Sequence, residues 1–117
     1  MKRLFALLVC LFSNVTALAQ ELEWTEIEKV FERKGTVQGE VLKIALPRTD
    51  LKVKVGDIRI EPALALTSWI AFQKMAGQAM MMGDLVLREE EIAPVTAKLV
   101  ASEIEITALH NHIAGET

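Results

Sequence analysis

The stretch from Leu51 to Glu61 constrains the fold more than any other part of the sequence. Apolar and charged residues alternate on both sides of a Gly56–Asp57 pair, and such alternation is typical of a strand with one buried face. A glycine followed by a polar residue suits a two-residue type II′ turn. If Val55 opposes Ile58 across that turn, all the apolar residues of the stretch lie on one face. Turn chemistry and hydrophobic pattern therefore both predict an antiparallel hairpin.

Other segments extend this to a larger sheet. Residues 36–46 read as a strand in which Leu42, Ile44 and Leu46 share one face. Residues 67–75 and 79–87 predict a second hairpin around Gly77–Gln78. Because both of its strands are apolar on both faces, we expect them to lie centrally in the sheet.

The first predicted helix runs from Glu21 to Lys34 and is expected to end at Gly35. Thr25 and Glu28 have the spacing of a capping box. The predicted apolar stripe of this helix consists of Ile27, Val30 and Phe31.

The second predicted helix spans residues 89–101. Its three leading glutamates complement the positive end of the helix dipole. Pro94 is tolerable in the first turn, which predicts a start near Glu90 or Glu91. The inward residues are expected to be Ile92, Val95, Leu99 and Val100. Together the segments predict an α+β domain, with a mostly antiparallel sheet of five or six strands and two flanking helices.

The first 19 residues have the pattern of a secretory signal peptide. A basic start precedes an apolar run, and Ala17-Leu18-Ala19 is a small-x-small cleavage site. The run is too short for a spanning helix. We therefore expect cleavage after Ala19, a periplasmic or secreted location, and a single domain over residues 20–117.

Cleavage would make the chain more acidic than its full-length net charge of −3, because it removes Lys2 and Arg3 and no acidic residue. A net negative charge does not favour binding to nucleic acid or to an anionic membrane. No stable membrane span is expected after cleavage. The only cysteine, Cys10, would also be removed. Disulfides and thiolate catalysis are then not expected.

Both histidines of the chain, His110 and His112, lie in its last segment. Read as a strand, residues 103–116 put Ile104 and Ile106 on the same face as the two imidazoles. His-x-His on a strand is a common way to supply two nitrogen ligands to a divalent metal such as zinc.

Two histidines alone bind metal weakly, so further ligands are needed. Glu116 is the nearest candidate in sequence, and Asp84 is another. Because Asp84 interrupts an apolar strand, it is also a candidate to orient a ligating histidine. In the alternative interpretation, the histidines only hydrogen-bond to backbone or carboxylate groups. Imidazole also titrates near neutrality and can act in acid–base catalysis.

Other chemistries have weaker support. Met75, Met80 and Met82 can share one strand face, where thioethers bind Cu(I), although methionine more often fills gaps in a core. Ser68 and Ser102 stand in ordinary structural contexts. Trp69 is expected to be a core residue or a half-buried cover, with stacking on a sugar as the alternative.

Five segments also resemble a known family. They are residues 28–39, 47–53, 62–69, 82–86 and 107–112. In this order they resemble the LppY/LpqO family of secreted bacterial proteins, a domain family of unknown function. Members of that family usually continue past the His-Asn-His motif, so the resemblance implies a chain that is incomplete at its C-terminus.

The functional hypotheses are therefore three. The first is an exported domain that binds a metal or small ligand through His110 and His112. The second is a non-catalytic structural or interaction module of the cell envelope. A metal-dependent enzyme is the third, and the sequence does not decide whether the chain is catalytic.

Overall fold

The computed structural model describes residues 23–115. Its elements in chain order are α1 (Trp24–Val30), β1 (Thr36–Gln38), β2 (Val41–Pro47), β3 (Lys54–Val55), β4 (Ile58–Arg59), α2 (Pro62–Ala65), β5 (Thr67–Met75), β6 (Gln78–Asp84) and α3 (Glu89–Ala101). The predicted signal peptide, its cleavage site after Ala19, Cys10 and Glu116 lie outside the described residues.

The main sheet has four antiparallel strands in the order β1-β2-β5-β6, and β3 and β4 form a separate two-stranded sheet. The predicted α+β class is confirmed. The prediction that both strands of the second hairpin are central was wrong for β6, which is an edge strand within residues 23–115. The prediction assumed that apolar residues on both faces of a strand are buried. In β6 they are not, since Met80 and Met82 are 50% and 64% exposed.

The predicted single strand over residues 36–46 is two strands. Gly39 adopts a φ of +59°, which only glycine takes at little cost, and the chain reverses there between β1 and β2. The expected inward face of β2 is correct, since Leu42 and Ile44 are fully buried and Leu46 packs beside them.

Helix α1 covers this face of the sheet by packing Ile27 against Leu42 and Ile44. It is shorter than predicted: it begins after Glu23 and ends at Val30, well before Gly35. Val30 is 80% exposed, so its predicted inward position was wrong.

The capping box predicted from Thr25 and Glu28 is absent, because the N-cap is Glu23 and Thr25 lies inside the helix. The Glu28 carboxylate accepts hydrogen bonds from Lys34 Nζ at 2.7 Å and from the Gly35 N–H at 3.0 Å. The hydrogen bond from Lys34, and then that from Gly35, hold the pKa of Glu28 below its ordinary value. Glu28 therefore ties α1 to the loop before β1.

The predicted hairpin forms with the predicted register, in which Val55 pairs with Ile58. Each strand is only two residues long, and Ile58 is 70% exposed, contrary to its predicted place on the inner face. The hairpin packs on a second core, which is formed by Ile60, Leu66 and Val86, with Leu51, Val53, Val55, Ala65 and Ile113 around it.

Helix α2 was not predicted. It is a single turn with Pro62 at its first position, where the missing proline N–H costs no hydrogen bond. It leads directly into Leu66, which is buried in the second core. This short helix therefore places a backbone turn next to the first residues of β5.

Helix α3 spans the predicted residues 89–101, but the refined prediction of a start near Glu90 or Glu91 was wrong: the helix starts at Glu89, and Pro94 lies beyond its first turn. None of its residues is buried, and Val100, predicted to face inward, is 65% exposed. The helix is held instead at its start, where the Glu91 carboxylate accepts hydrogen bonds from Arg48, the residue that follows β2. No helix within residues 23–115 is long and apolar enough to cross a membrane.

The strand predicted for residues 103–116 does not form in its described part, residues 103–115. Glu103 adopts a φ of +59° and Ile104 donates its N–H to Leu99, which closes the end of α3. The segment then runs on with Ile106 39% exposed. Alternation predicts a strand only where a neighbouring strand is present to pair with, and none pairs with this segment among the described residues.

Candidate metal centre

Asp84 is the last residue of β6 and lies directly opposite Trp69 on β5, on the same face of the sheet. The adjoining Gly83 has no room for a side chain: a Cβ there would lie 2.9 Å from the Trp69 carbonyl oxygen. Beyond Asp84, the Val86 N–H donates to the buried hydroxyl of Ser68 at 2.9 Å. The backbone on both sides of Asp84 is therefore fixed against β5.

A charged cluster holds the chain that follows Asp84. The guanidinium of Arg48 donates to the Val86 carbonyl at 2.8 Å and to both carboxylate oxygens of Glu91, at 2.8 and 3.1 Å. It also donates to Asp50. These hydrogen bonds from Arg48 lower the pKa of Asp50 and of Glu91 to about 2 in each case, and they raise the pKa of Arg48.

His112 reaches this corner of the sheet from the C-terminal segment. Its Nε2 lies 3.3 Å from Asp84 Oδ2, and its Nδ1 lies 3.3 Å from the carbonyl oxygen of Ala65 in α2. The next residue, Ile113, packs on the second core. The imidazole is thus placed by one backbone contact, one carboxylate and one apolar anchor.

His110 lies beside His112. The two rings are nearly parallel, with 5.1 Å between centroids and an interplanar angle of 24°. The prediction that the imidazoles share one side of the segment is therefore confirmed, although the segment is not a strand. Both residues are exposed, so solvent rather than a packed wall surrounds much of the His110 ring.

Asp84, His110 and His112 each offer one ligand atom, and these atoms lie within 4.8 Å of one another. A tetrahedral zinc ion with nitrogen and oxygen ligands at about 2.0–2.1 Å separates neighbouring ligand atoms by about 3.3–3.4 Å. The 3.3 Å between His112 and Asp84 matches that edge. Rotation of the exposed His110 ring would bring in the third ligand.

The contact with Ala65 determines what His112 offers to Asp84. A carbonyl oxygen only accepts, so His112 makes this hydrogen bond only when Nδ1 carries the proton. In the neutral ring, Nε2 then presents a lone pair to the carboxylate. Two acceptors at 3.3 Å repel each other unless a cation lies between them. In the other neutral tautomer Nε2 donates to Asp84 instead, so the geometry allows either a hydrogen-bonded pair or a shared cation.

An open cleft of about 240 Å³ begins at this site. Its walls are helix α2, the start of β5 and the Asp84–His112 pair, and its lining residues are Pro62, Ala63, Leu64, Ala65, Thr67, Trp69, Asp84 and His112. The ammonium group of Lys43 lies 4.2 Å from the centroid of the Trp69 ring. The cleft thus joins the polar pair to an aromatic wall.

The structure brings together three of the four predicted site residues: His110, His112 and Asp84. The fourth, Glu116, lies outside the described residues. Asp84 was expected either to supply a further ligand or to orient a histidine, and its carboxylate oxygen at 3.3 Å from His112 Nε2 suits both roles.

Sequence reasoning missed the carbonyl of Ala65 and the cleft. The signal that was present is Glu61-Pro62, since proline favours the first position of a helix. Ser68 is buried and its hydroxyl accepts from Val86, a structural role like the one expected of it.

A model described as Domain of Unknown Function (DUF1259) matches residues 25–117. The chain belongs to this family. The match covers the described elements apart from the first residue of α1, so the sheet and the Asp84–His112 pair belong to the DUF1259 domain. No curated protein and no solved structure shows significant similarity to this DUF1259 chain.

Proposed function

We propose that this DUF1259 domain binds a divalent metal ion, with Asp84, His110 and His112 as its ligands. The observation that carries the proposal is the convergence of these three side chains from β6 and from the C-terminal segment, with their ligand atoms within 4.8 Å. Two imidazoles and one carboxylate are a ligand set typical of zinc, and they also suit copper(II).

The support lies in how the ligands are held as well as in how close they are. Donation from His112 Nδ1 to Ala65 leaves Nε2 as the metal-binding nitrogen, and a second hydrogen bond of this kind commonly fixes a ligating histidine. Asp84 sits on a sheet rather than on a loop. A site on a rigid element loses less entropy when it binds.

Export remains part of the proposal. It is supported by the signal-peptide pattern of residues 1–19 and by the resemblance to the secreted LppY/LpqO proteins. The domain would then encounter metal ions outside the cytoplasm.

The test is metal analysis and titration calorimetry on the untagged chain. Zinc is expected to bind at one ion per chain, and His112→Ala, His110→Ala and Asp84→Asn are each expected to weaken it by at least tenfold. Asp57→Asn is the matched control for Asp84→Asn, because Asp57 lies in the exposed β3–β4 turn. Glu116→Gln measures whether the remaining predicted ligand contributes.

The competing function is a structural module in which His112 only pins the C-terminal segment to Ala65 and Asp84. It predicts no stoichiometric metal under any loading, together with loss of stability in His112→Ala. Stoichiometric zinc that persists in His112→Ala and Asp84→Asn would contradict the proposed site.

A further inference from the structure

We infer that the metal centre keeps an open coordination position facing the cleft, and that this position binds a small aromatic carboxylate whose ring lies against Trp69. The inference rests on the proposed metal site and adds the class of ligand. Three protein ligands leave one position of a tetrahedral ion for an outside ligand. Asp84 and His112 themselves line the cleft, so that position is reached from it.

The place of Trp69 sets the size and shape of the ligand. Trp69 is the direct cross-strand partner of Asp84, and such partners have Cβ atoms about 4.5–5.5 Å apart. A molecule with its carboxylate on the metal therefore extends over the Trp69 ring within the length of one aromatic ring. The volume of about 240 Å³ is smaller than the roughly 300–1,000 Å³ of pockets for drug-sized molecules, which favours a small ligand.

Charge and wall chemistry favour an aromatic anion. The metal would provide positive charge at one end. Lys43 does not itself line the cleft, but its ammonium lies 4.2 Å from the centroid of the Trp69 ring, which does. The α2 wall is apolar, consisting of proline, alanine and leucine side chains. The Thr67 hydroxyl donates its proton to the Pro62 carbonyl, so it does not donate a hydrogen bond to a ligand in the cleft. A planar apolar body with one carboxylate matches these surroundings better than a polyhydroxyl sugar does.

The experiment uses benzoate as the probe and benzamide as its uncharged analogue, with ligand-observed NMR on the untagged chain. Benzoate is expected to bind the zinc-loaded protein with a Kd of about 1 mM or tighter and to bind much more weakly after zinc removal. Benzamide is expected to bind at least about tenfold more weakly, because it lacks the charge that the metal attracts.

The variants come in two matched pairs. Trp69→Leu is expected to weaken benzoate binding by about tenfold with zinc affinity unchanged, whereas Trp24→Leu removes the tryptophan on the opposite sheet face and leaves benzoate binding unchanged. Lys43→Met is expected to weaken binding by several-fold. Its control, Lys74→Met, removes the lysine that lies 4.8 Å from the Trp24 ring.

The outcomes separate the two proposals. If zinc binds but benzoate binding is absent, independent of zinc, or unchanged in both Trp69→Leu and Lys43→Met, the open position is overturned and the metal site stands. If zinc does not bind at all, both proposals fail. Zinc-dependent binding that is weakened by the Trp69 and Lys43 variants alone supports the inference.

Discussion

Single side chains around Asp84 determine whether the site exists. Gly83 allows β6 to approach β5 closely, and the Ser68 hydroxyl accepts a hydrogen bond from the buried N–H of Val86. Neither residue offers a ligand. Both fix the backbone that carries the Asp84 carboxylate. Substituting them therefore tests how the stability of this part of the sheet affects zinc binding.

Ser68→Ala is expected to destabilise the chain by about 1–3 kcal/mol, because the buried N–H of Val86 loses its acceptor. Urea unfolding monitored by circular dichroism measures the change. Ser102→Ala is the control, since Ser102 is exposed after α3 and its side chain should contribute little. Equal effects of the two substitutions would mean that the Ser68–Val86 hydrogen bond does not stabilise the fold.

Gly83→Ala is expected to cost about 1–3 kcal/mol and to weaken zinc binding, because the added methyl meets the backbone carbonyl of Trp69 rather than a movable side chain. Unfolding and zinc titration are measured on the same sample. Gln78→Ala, at the exposed start of β6, serves as the control. Zinc affinity unchanged in Gly83→Ala would show that Asp84 tolerates a shift of its strand.

At the scale of elements, Arg48 joins three parts of the chain: the end of β2, the connection after β6 and the first turn of α3. Because α3 buries no residue, this hydrogen-bonded cluster substitutes for a packed face. Arginine suits the role, since its planar guanidinium serves two carboxylates and a carbonyl at once.

The Arg48 cluster makes stability depend on pH in the acid range. The pKa values of Asp50 and Glu91 are about 2, below their ordinary values, so the folded state favours their charged forms. Their contribution is complete above about pH 5 and is lost as pH falls toward 2. In Arg48→Ala, stability is expected to fall by about 1–3 kcal/mol at pH 7, with the difference from the unmodified chain shrinking toward pH 2.

Urea unfolding in the presence of chelator at several pH values measures this effect. Arg59→Ala is the control, because Arg59 forms only an exposed ion pair with Glu61 at 3.8 Å. A stability difference for Arg48→Ala that is the same at pH 2 and pH 7 would contradict the electrostatic origin.

What the sequence could predict at this scale depended on local signals. The Val55–Ile58 register was predictable because turn chemistry and alternation coincided within a few residues. The leading glutamates marked the start of α3 correctly, whereas the expectation that Pro94 lies in the first turn placed it too late. The end of α1 was not predictable from local signals. The Glu28 carboxylate accepts hydrogen bonds from Lys34 and Gly35, which lie beyond the end of the helix. Edge or central placement of β6 is a property of the whole sheet.

The sequence pointed to three residues of the candidate site, but not to the backbone contacts that hold them together. His110 and His112 stand out because histidine is rare in this chain, and Asp84 stands out as a charge in an apolar strand. The carbonyl of Ala65 has no sequence signature, because every residue has one. The strand predicted for the histidines required a pairing partner, which alternation within one segment does not reveal.

At the scale of the whole molecule, two separate cores divide the described chain. One lies between α1 and the main sheet, and the other lies under the β3–β4 hairpin and α2. The proposed metal site lies beside the second core, which contains Ile113 and Val86. Metal binding is therefore expected to stabilise this half of the molecule more than the other half.

Zinc is expected to raise the free energy of unfolding of the untagged chain, because the folded state alone assembles the ligands. At a free zinc concentration of 100 Kd the gain is about 2.7 kcal/mol. Thermal unfolding with zinc and with chelator measures it, and His112→Ala should remove the difference. A melting temperature that zinc leaves unchanged would contradict binding at this site.

Asp84 and His112 are joined by a stretch of chain that includes the whole of α3, a helix with no buried residue. A cation shared by these two residues would close that stretch into a loop, as a covalent staple does. Force applied to the two ends of the chain would then pass through the coordination bonds rather than through α3. A helix that buries no residue would be sheltered from mechanical extension by a single ion.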